Sequence, residues 1–174
     1  MLEIFLIIAV VIGVQMYQTR GLPEGVAPPL VGVRTDGVAV DLSTRVGVGM
    51  TAVDGAPAAD ATGRPVLVAF WAAWCPVCKL EEGNINSVAA HWPVLSVAMQ
   101  SGDAATVAKH LQERGISVPA LVDASGGQAM GWQVSGVPAH FIVDGAGNVR
   151  FRVVGYATTL GLMARLWWAE HVQG

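Results

Sequence analysis

The residues in this 174-residue sequence whose type and spacing suggest chemistry are two cysteines, Cys75 and Cys78, in the segment WCPVC. Two thiols at this spacing can cycle with a disulfide: one attacks a substrate disulfide, and the other then attacks the mixed disulfide. Two cysteines are too few for a dense disulfide framework or a four-thiolate zinc site. A static bridge across so short a loop would add little stability. The pair therefore predicts a redox-active Cys75–Cys78 disulfide and no further cofactor.

The surrounding pattern predicts that these cysteines lie where a buried strand ends and a helix begins. Residues 66–71 (VLVAFW) are a continuous apolar run of strand length, and apolar side chains then recur at helical spacing from about Cys75 to His91. Cys75 would lie at the helix N-terminus, where unpaired N–H groups and the helix dipole favour a thiolate. Cys78 follows one turn deeper, in position to attack a mixed disulfide. Pro76 is tolerated because its missing N–H would be unpaired in the first turn.

The remaining pattern alternates between strands and helices. Apolar runs predict strands at residues 94–99, 120–123, 141–143 and 149–154, and capping residues with helical spacing predict helices at about 103–114, 128–132 and 158–172. The two short strands 30–33 and 38–42 flank Asp36 and Gly37, which predicts an N-terminal β-hairpin with a type I′ turn. Residues 43–63, rich in Gly and Ala, predict a surface loop with a short strand at 46–50. These elements predict an α/β fold, a mixed central sheet flanked by helices.

The N-terminus predicts a transmembrane helix. Residues 4–14 (IFLIIAVVIGV) contain no polar side chain, and no clear small-x-small cleavage site follows them. A buried helix of a soluble domain is the alternative for this run. Residues 19–29 hold three prolines and two glycines, the composition of a tether. The predicted organisation is an anchor at 1–18, a tether at 19–29 and one domain at 30–174.

Composition excludes some classes of partner and ligand. The formal net charge is −3 and the ten basic residues are scattered, which argues against nucleic-acid binding. The sequence has no second cysteine pair for a metal site, and Lys79 rather than His follows Cys78, which excludes the c-type haem attachment motif. We therefore predict no metal site. Separately, the hydrophobic content of 53% is ample for a packed core.

The segment FWAAWCPVCK resembles the active-site segment of the thioredoxin superfamily, and Gly136-Val137-Pro138 resembles its cis-proline loop. More narrowly, the sequence is similar to the membrane-anchored TlpA/ResA/CcmG group. Within that group it is most similar to the ScsD (suppressor of copper sensitivity D) or protein disulfide oxidoreductase subgroup, which residues 154–158 (VGYAT) also resemble. The resemblance covers about residues 28–172. It implies a thioredoxin-like domain in the periplasm, held at the bacterial inner membrane by a single span.

The resemblance also implies roles for individual residues. Cys75 corresponds to the exposed nucleophile, Cys78 to the resolving thiol and Pro138 to the cis-proline beside the disulfide. Contacts with substrate are implied for Trp74, Pro76, Val77 and the backbone of Val137.

One departure from the thioredoxin pattern changes how a proton would be handled. Ala69 stands where thioredoxins place a buried Asp, so the resolving thiol needs another acid-base group. Glu81 matches the acid of the ResA-like proteins and is predicted to exchange this proton; a solvated Glu81 is the alternative. Glu82 is predicted to be a solvated residue of the helix surface. The histidines are dispersed, and only His140, two residues after Pro138, is expected near the site.

These features predict a thiol-disulfide oxidoreductase acting on protein substrates in the periplasm. A membrane electron donor of the DsbD or ScsB kind, implied by the resemblance, would return the disulfide to thiols. Val77 stands where strong oxidants carry a thiolate-stabilising His, which favours a reductant. Two alternatives stay open: a copper-binding metallochaperone using Cys75, Cys78 and a His, and a thiol reductase for cytochrome c maturation.

Overall fold

The computed structural model describes residues 2–42 and 64–172; the predicted loop at 43–63, with its short strand, lies outside the described residues. The helices are α1 (Leu2–Gln18), α2 (Pro76–Ala89), α3 (Ala104–Glu113), α4 (Gly127–Gly131) and α5 (Thr159–His171). The strands are β1 (Gly25–Val26), β2 (Val31–Val33), β3 (Ala39–Asp41), β4 (Val66–Trp71), β5 (Val94–Met99), β6 (Ala120–Asp123), β7 (Ala139–Val143) and β8 (Asn148–Val154).

Six strands form the central sheet in the order β1-β8-β7-β4-β5-β6. Strands β4, β5 and β6 run parallel, whereas β7 pairs antiparallel with both β4 and β8. The predicted mixed sheet is therefore confirmed. Strand β4 lies inside the sheet, so the segment that follows it, including Cys75, begins at the carboxyl end of a strand held on both sides.

Both faces of β4 are covered, which explains its continuous apolar run. On one face Phe70 contacts Trp132 and Phe141 in tilted and edge-on ring packing. On the other face Leu67 and Ala69 belong to a core cluster with Ile142 and with residues of helices α2 and α5. The side of the sheet that faces α2 is thus the one from which Ala69 projects.

Helices α3 and α5 begin at the capping residues that the sequence predicts. The Asp103 carboxylate accepts the backbone N–H of Thr106 at 2.8 Å. The Thr158 hydroxyl accepts the N–H of Gly161 at 3.1 Å. Each cap satisfies one N–H that the first helical turn leaves unpaired.

The predicted N-terminal hairpin is confirmed as the antiparallel pair β2–β3, but its predicted turn type is wrong. A type I′ turn needs positive φ at both central residues. Among the turn residues 34–38, all of which the structure describes, only Gly37 has a positive φ, at 81°. Its N–H donates to the carbonyl of Arg34 at 2.9 Å. The hairpin is attached to the domain through Leu30 and Val40, both fully buried in the core.

The segment predicted as a tether, residues 19–29, is instead packed on the domain. Its strand β1 pairs with the outer edge of β8, and the Leu22 side chain is buried. A side-chain pattern could not reveal this, because the pairing of β1 uses backbone groups alone. Just before it, the Gln15 amide of helix α1 donates to the carbonyl of Val154 at 3.2 Å.

Helix α1 covers the predicted anchor segment. Across residues 2–42 and 64–172, no helix has both the length and the apolar character that crossing a membrane requires.

Candidate active site

The site begins where β4 ends and helix α2 starts. Cys75 is the N-cap residue of α2, with extended backbone angles, and Pro76 occupies the first turn. The backbone N–H of Cys78 donates to the Cys75 sulfur at 3.3 Å. The predicted placement of the cysteine pair is therefore confirmed, and an orphan N–H of the first turn already points at the Cys75 sulfur.

The loop before β7 meets Cys75 from the other side. The peptide bond between Val137 and Pro138 is cis, as the resemblance implies. The Cys75 thiol donates to the carbonyl oxygen of Val137 at 3.5 Å, and the carbonyl of Pro138 accepts the N–H of Gly155 at 2.8 Å. The backbone of Val137 thus faces the predicted nucleophile, although some 60 residues separate them in the sequence.

The expectation that Cys75 is exposed is wrong. Both cysteines are reduced and buried, with only 4% of Cys75 and 2% of Cys78 accessible. They pack with Ala72, against Trp71 and Val137. Access therefore barely distinguishes the two thiols, and any difference in reactivity between them must come from their protonation.

The environment of Cys78 strongly opposes ionisation. Burial is the largest cause that raises the pKa of Cys78, followed by its interaction with the Cys75 thiol and by the charges of Cys75 and Glu81. A hydrogen bond with the backbone of Ala72 acts in the opposite direction. At neutral pH Cys78 is therefore held as a thiol, and it needs a proton acceptor before it can attack.

Glu81 is the acid closest to this role, and it is not a solvated residue. Only 2% of it is accessible, and it lines a small cavity of about 20 Å³ together with Cys78. Its Oε2 accepts the backbone N–H of Ala157 at 3.0 Å, while Oε1 lies 2.9 Å from Nε2 of His140. The structure thus brings the predicted acid and the resolving thiol to one cavity.

The prediction that Glu82 is solvated is wrong, because its carboxylate is paired and largely covered. Its Oε2 accepts from Nε of Arg114 at 2.7 Å, and its Oε1 lies 3.1 Å from Nε2 of His110. Its side chain is about one-tenth exposed. The partners of Glu82 come from α3 and from the residue that follows it, and the periodicity of α2 alone could not reveal them.

The outer surface of the site is formed by the predicted substrate-contact residues. Trp74, Pro76 and Val77 are exposed, and the Trp74 indole N–H donates to the carbonyl of Gln100 at 3.1 Å. Trp71 turns inward, donates to the Ser96 hydroxyl at 2.7 Å and stacks on the ring of another residue, His110.

His140 lies beside the site, as its closeness to Pro138 in the sequence predicts, and it is only 1% accessible. The sequence marks it solely by its distance from Pro138. The strand register explains this position, because His140 of β7 pairs directly with Ala69 of β4. Cross-strand partners project from the same face of a sheet, so the His140 ring occupies the side on which Ala69 leaves room.

The described residues hold no group of three His, Cys, Asp or Glu side chains arranged to bind a metal ion. The copper alternative requires Cys75, Cys78 and a histidine as one such group.

The fold and the site together define a thioredoxin-like protein with a CxxC pair opposite a cis-proline loop. The sequence model of the AhpC/TSA family matches residues 52–152, and the chain belongs to this family.

Curated relatives carry related names. The chain is 37% identical over 90 residues to the thiol:disulfide interchange protein DsbE homolog of Paracoccus denitrificans, covering 51% of this chain and 50% of that protein. It is 32% identical over 108 residues to a thioredoxin-like protein of Haemophilus influenzae, covering 62% and 64%. It is 31% identical over 109 residues to the thiol:disulfide interchange protein DsbE of Escherichia coli K12, covering 62% and 56%. These matches thus span between half and two thirds of the relatives' own lengths.

Solved structures share the fold at lower identity. A thiol:disulfide interchange protein of the thioredoxin family from Chlorobium tepidum superposes with a TM-score of 0.64 at 21% identity, covering 84% of this chain and 97% of that one. StoA from Bacillus subtilis superposes with a TM-score of 0.62 at 17% identity, covering 80% and 98%. The expected thioredoxin-like fold is confirmed by these likenesses.

Proposed function

We propose that this protein is a thiol-disulfide oxidoreductase that exchanges disulfides with protein substrates through Cys75 and Cys78. The observation that carries the proposal is the position of Cys75, which caps helix α2 and faces the backbone of Val137. A nucleophilic thiol and a backbone edge that lie side by side suit an extended peptide whose cystine is presented to the sulfur. The names of the curated relatives support the same chemistry.

The exchange takes place in two displacements. The Cys75 thiolate attacks a substrate disulfide, forms a mixed disulfide and releases one substrate thiolate. The Cys78 thiol then loses its proton and attacks the Cys75 sulfur. The second substrate thiolate leaves, and the Cys75–Cys78 disulfide remains. Two electrons pass to the substrate, whose thiolates take up two protons.

In finer terms, we propose that the protein is a reductant similar to the ScsD subgroup. Val77 offers no charge or ring nitrogen to stabilise the Cys75 thiolate, and a less stabilised thiolate favours reduction of the substrate. A membrane electron donor of the DsbD or ScsB kind would restore the thiols. The similarity of residues 154–158 to the ScsD subgroup supports this assignment.

We also propose that residues 1–18 hold the protein at the bacterial inner membrane, with the domain in the periplasm. The support is the apolar run at residues 4–14. Fractionation of cells that express the full chain, with N-terminal sequencing of the mature protein, tests this. Recovery in the membrane fraction with residues 1–18 intact supports the proposal, and a soluble form that begins near Gly21 contradicts it.

Turnover of a protein disulfide tests the activity. The full chain with dithiothreitol should accelerate insulin reduction, and Cys75→Ser should abolish the acceleration. Lys79→Ala is the matched control, because Lys79 is exposed on the same helix, has no predicted contact with substrate, and its replacement leaves both thiols in place. No acceleration by the wild type, together with stoichiometric binding of copper by the reduced protein, would replace the proposal with the metallochaperone alternative.

A further inference from the structure

We propose that His140 is a positioning residue that acts on Cys78 through Glu81, by holding the Glu81 carboxylate in the orientation that accepts the Cys78 proton. The inference rests on the proposed function and deepens it, because it concerns the step that resolves the mixed disulfide.

The fold places His140 next to the site by strand pairing. It lies on β7 directly opposite Ala69 of β4, and it projects toward the face that α2 covers. The methyl group of Ala69 is small enough to leave the imidazole ring space on this face. The result is a histidine that is almost wholly buried next to the first turns of α2.

The contacts of the ring point to the carboxylate as its partner. Neither ring nitrogen of His140 makes a well-aligned hydrogen bond within the described residues. Its Nε2 nevertheless lies 2.9 Å from Oε1 of Glu81, within ion-pair distance. A polar ring buried without a partner is costly, and so is a buried carboxylate without a counter-charge. Each group therefore removes the main cost of burying the other.

The other side of the carboxylate is held independently. The backbone N–H of Ala157 donates to Oε2 of Glu81, so the two oxygens are approached from β7 and from the segment before α5. Each carboxylate oxygen keeps a further lone pair for another donor. The Glu81 side chain is thus oriented by its two neighbours, while remaining able to accept a proton.

Among the described groups that line this cavity, His140 is the one base available to orient the Glu81 carboxylate. The acids and thiol on its wall come from α2: Cys78, Glu81 and Glu82. Glu82 is already paired with His110 and Arg114. Strands β4 and β5 contribute Ala69, Trp71 and Ser96, and the neighbouring α3 segment contributes Leu111 and Ile116, none of which titrates as an acid or base near neutral pH.

The proposed step balances without a further reagent. The S–H bond of Cys78 breaks and its proton passes to the Glu81 carboxylate. The thiolate then forms the bond to the Cys75 sulfur as the substrate thiolate leaves. The cavity of about 20 Å³ that both side chains line is wide enough for a single water, which can carry the proton from Cys78 to Glu81. The negative charge passes from the carboxylate to the sulfur, so the transfer adds no net charge to the cavity, and the role of His140 is to keep the acceptor oxygen in place.

The test is the resolution rate of a chromogenic mixed disulfide. Reduced protein that reacts with Ellman's reagent forms a thionitrobenzoate adduct at Cys75, and attack by Cys78 releases a second thionitrobenzoate, followed by stopped-flow absorbance. His140→Gln should slow this second phase about 3–10-fold at neutral pH, less than the ~10²–10⁴-fold typical of a group that itself transfers the proton. In this variant the resolution rate should also rise more steeply with pH, toward tenfold per pH unit, because an unassisted thiol reacts in proportion to its ionised fraction.

His110→Gln is the matched control, since that histidine faces the adjacent Glu82 at a similar distance. It should leave the resolution rate within about twofold. In a Glu81→Gln background, His140→Gln should have no further effect, because it acts through the missing carboxylate. If thermal unfolding shows that His140→Gln does not fold, His140→Asn takes its place in the same cycle.

An unchanged rate and pH profile in His140→Gln, or an equal slowing with and without Glu81, would overturn the inference. Failure of the proposed function looks different. In that case the wild type itself releases only one thionitrobenzoate and does not reduce insulin, whatever residue stands at position 140.

Discussion

The Cys75 thiol donates a hydrogen bond of 3.5 Å to the carbonyl oxygen of Val137. The contact holds the sulfur beside the loop that would present a substrate backbone. It also covers Cys75, so the first attack requires the thiol to leave this carbonyl. Reactivity of the pair therefore depends on which sulfur gives up its proton, more than on which is exposed.

The first prediction is selective alkylation of Cys75. At about pH 6, iodoacetamide should label the reduced protein at Cys75 alone, because only a thiolate reacts and the pKa of Cys78 is strongly raised by burial. Peptide mass spectrometry after a time course identifies the labelled site. Protein unfolded in guanidinium is the control and should be labelled at both thiols at similar rates. Equal rates in the folded protein would contradict the assigned roles.

The second prediction is accumulation of mixed disulfides in Cys78→Ser. A serine hydroxyl cannot displace the substrate sulfur, so adducts through Cys75 should persist. Non-reducing electrophoresis of cells expressing the variant, followed by mass spectrometry, detects them. The Cys75→Ser/Cys78→Ser double variant should show none. Absence of adducts in Cys78→Ser under several growth conditions counts against exchange with protein substrates.

The third prediction concerns the acid beside the resolving thiol. Glu81→Gln should slow resolution of the mixed disulfide by about 10²-fold or less, the lower end for loss of acid-base help, while the glutamine carbonyl still accepts the N–H of Ala157. Stopped-flow resolution kinetics measure the effect, with circular dichroism to confirm the fold.

Glu82→Gln is the control for this variant, because Glu82 is turned toward Arg114 and His110. Losing this partly exposed ion pair should cost about 0–1 kcal/mol of stability and leave the resolution rate unchanged. Wild-type kinetics in both variants would mean that water takes the Cys78 proton.

The fourth prediction is a loss of stability of the reduced protein at alkaline pH. The folded state raises the pKa of Cys78 above the 9.0 of an ordinary cysteine, so above that pH the unfolded chain loses a proton that the folded protein retains. The free energy of unfolding should be flat with respect to this group below pH 9.0. Above it, the contribution of Cys78 should fall by up to about 1.4 kcal/mol per pH unit.

Urea unfolding of the reduced protein at several pH values on both sides of this point measures the slope. Cys78→Ser is the control, and its slope should be shallower because serine does not ionise in this range. Identical slopes for the two proteins would show that Cys78 titrates alike in the folded and unfolded states.

The sequence by itself determined the order of elements and the identity of the redox pair. Strand β4, helix α2 and the caps at Asp103 and Thr158 are local features, because periodicity and capping act within a few neighbouring residues. Pro138 was assigned through resemblance alone, whereas Glu81 was assigned through resemblance and through its position one helical turn after Cys78.

Only the tertiary structure decided what surrounds the two sulfurs. The burial of Cys75 depends on Val137, and the pairing of His140 with Glu81 depends on the register of β7 against β4. Likewise, β1 joins the sheet through backbone groups, which the side-chain pattern of residues 19–29 does not reveal. These contacts join segments far apart in the chain, and their geometry arises only when strands pair and helices pack, so no local pattern of residues encodes it.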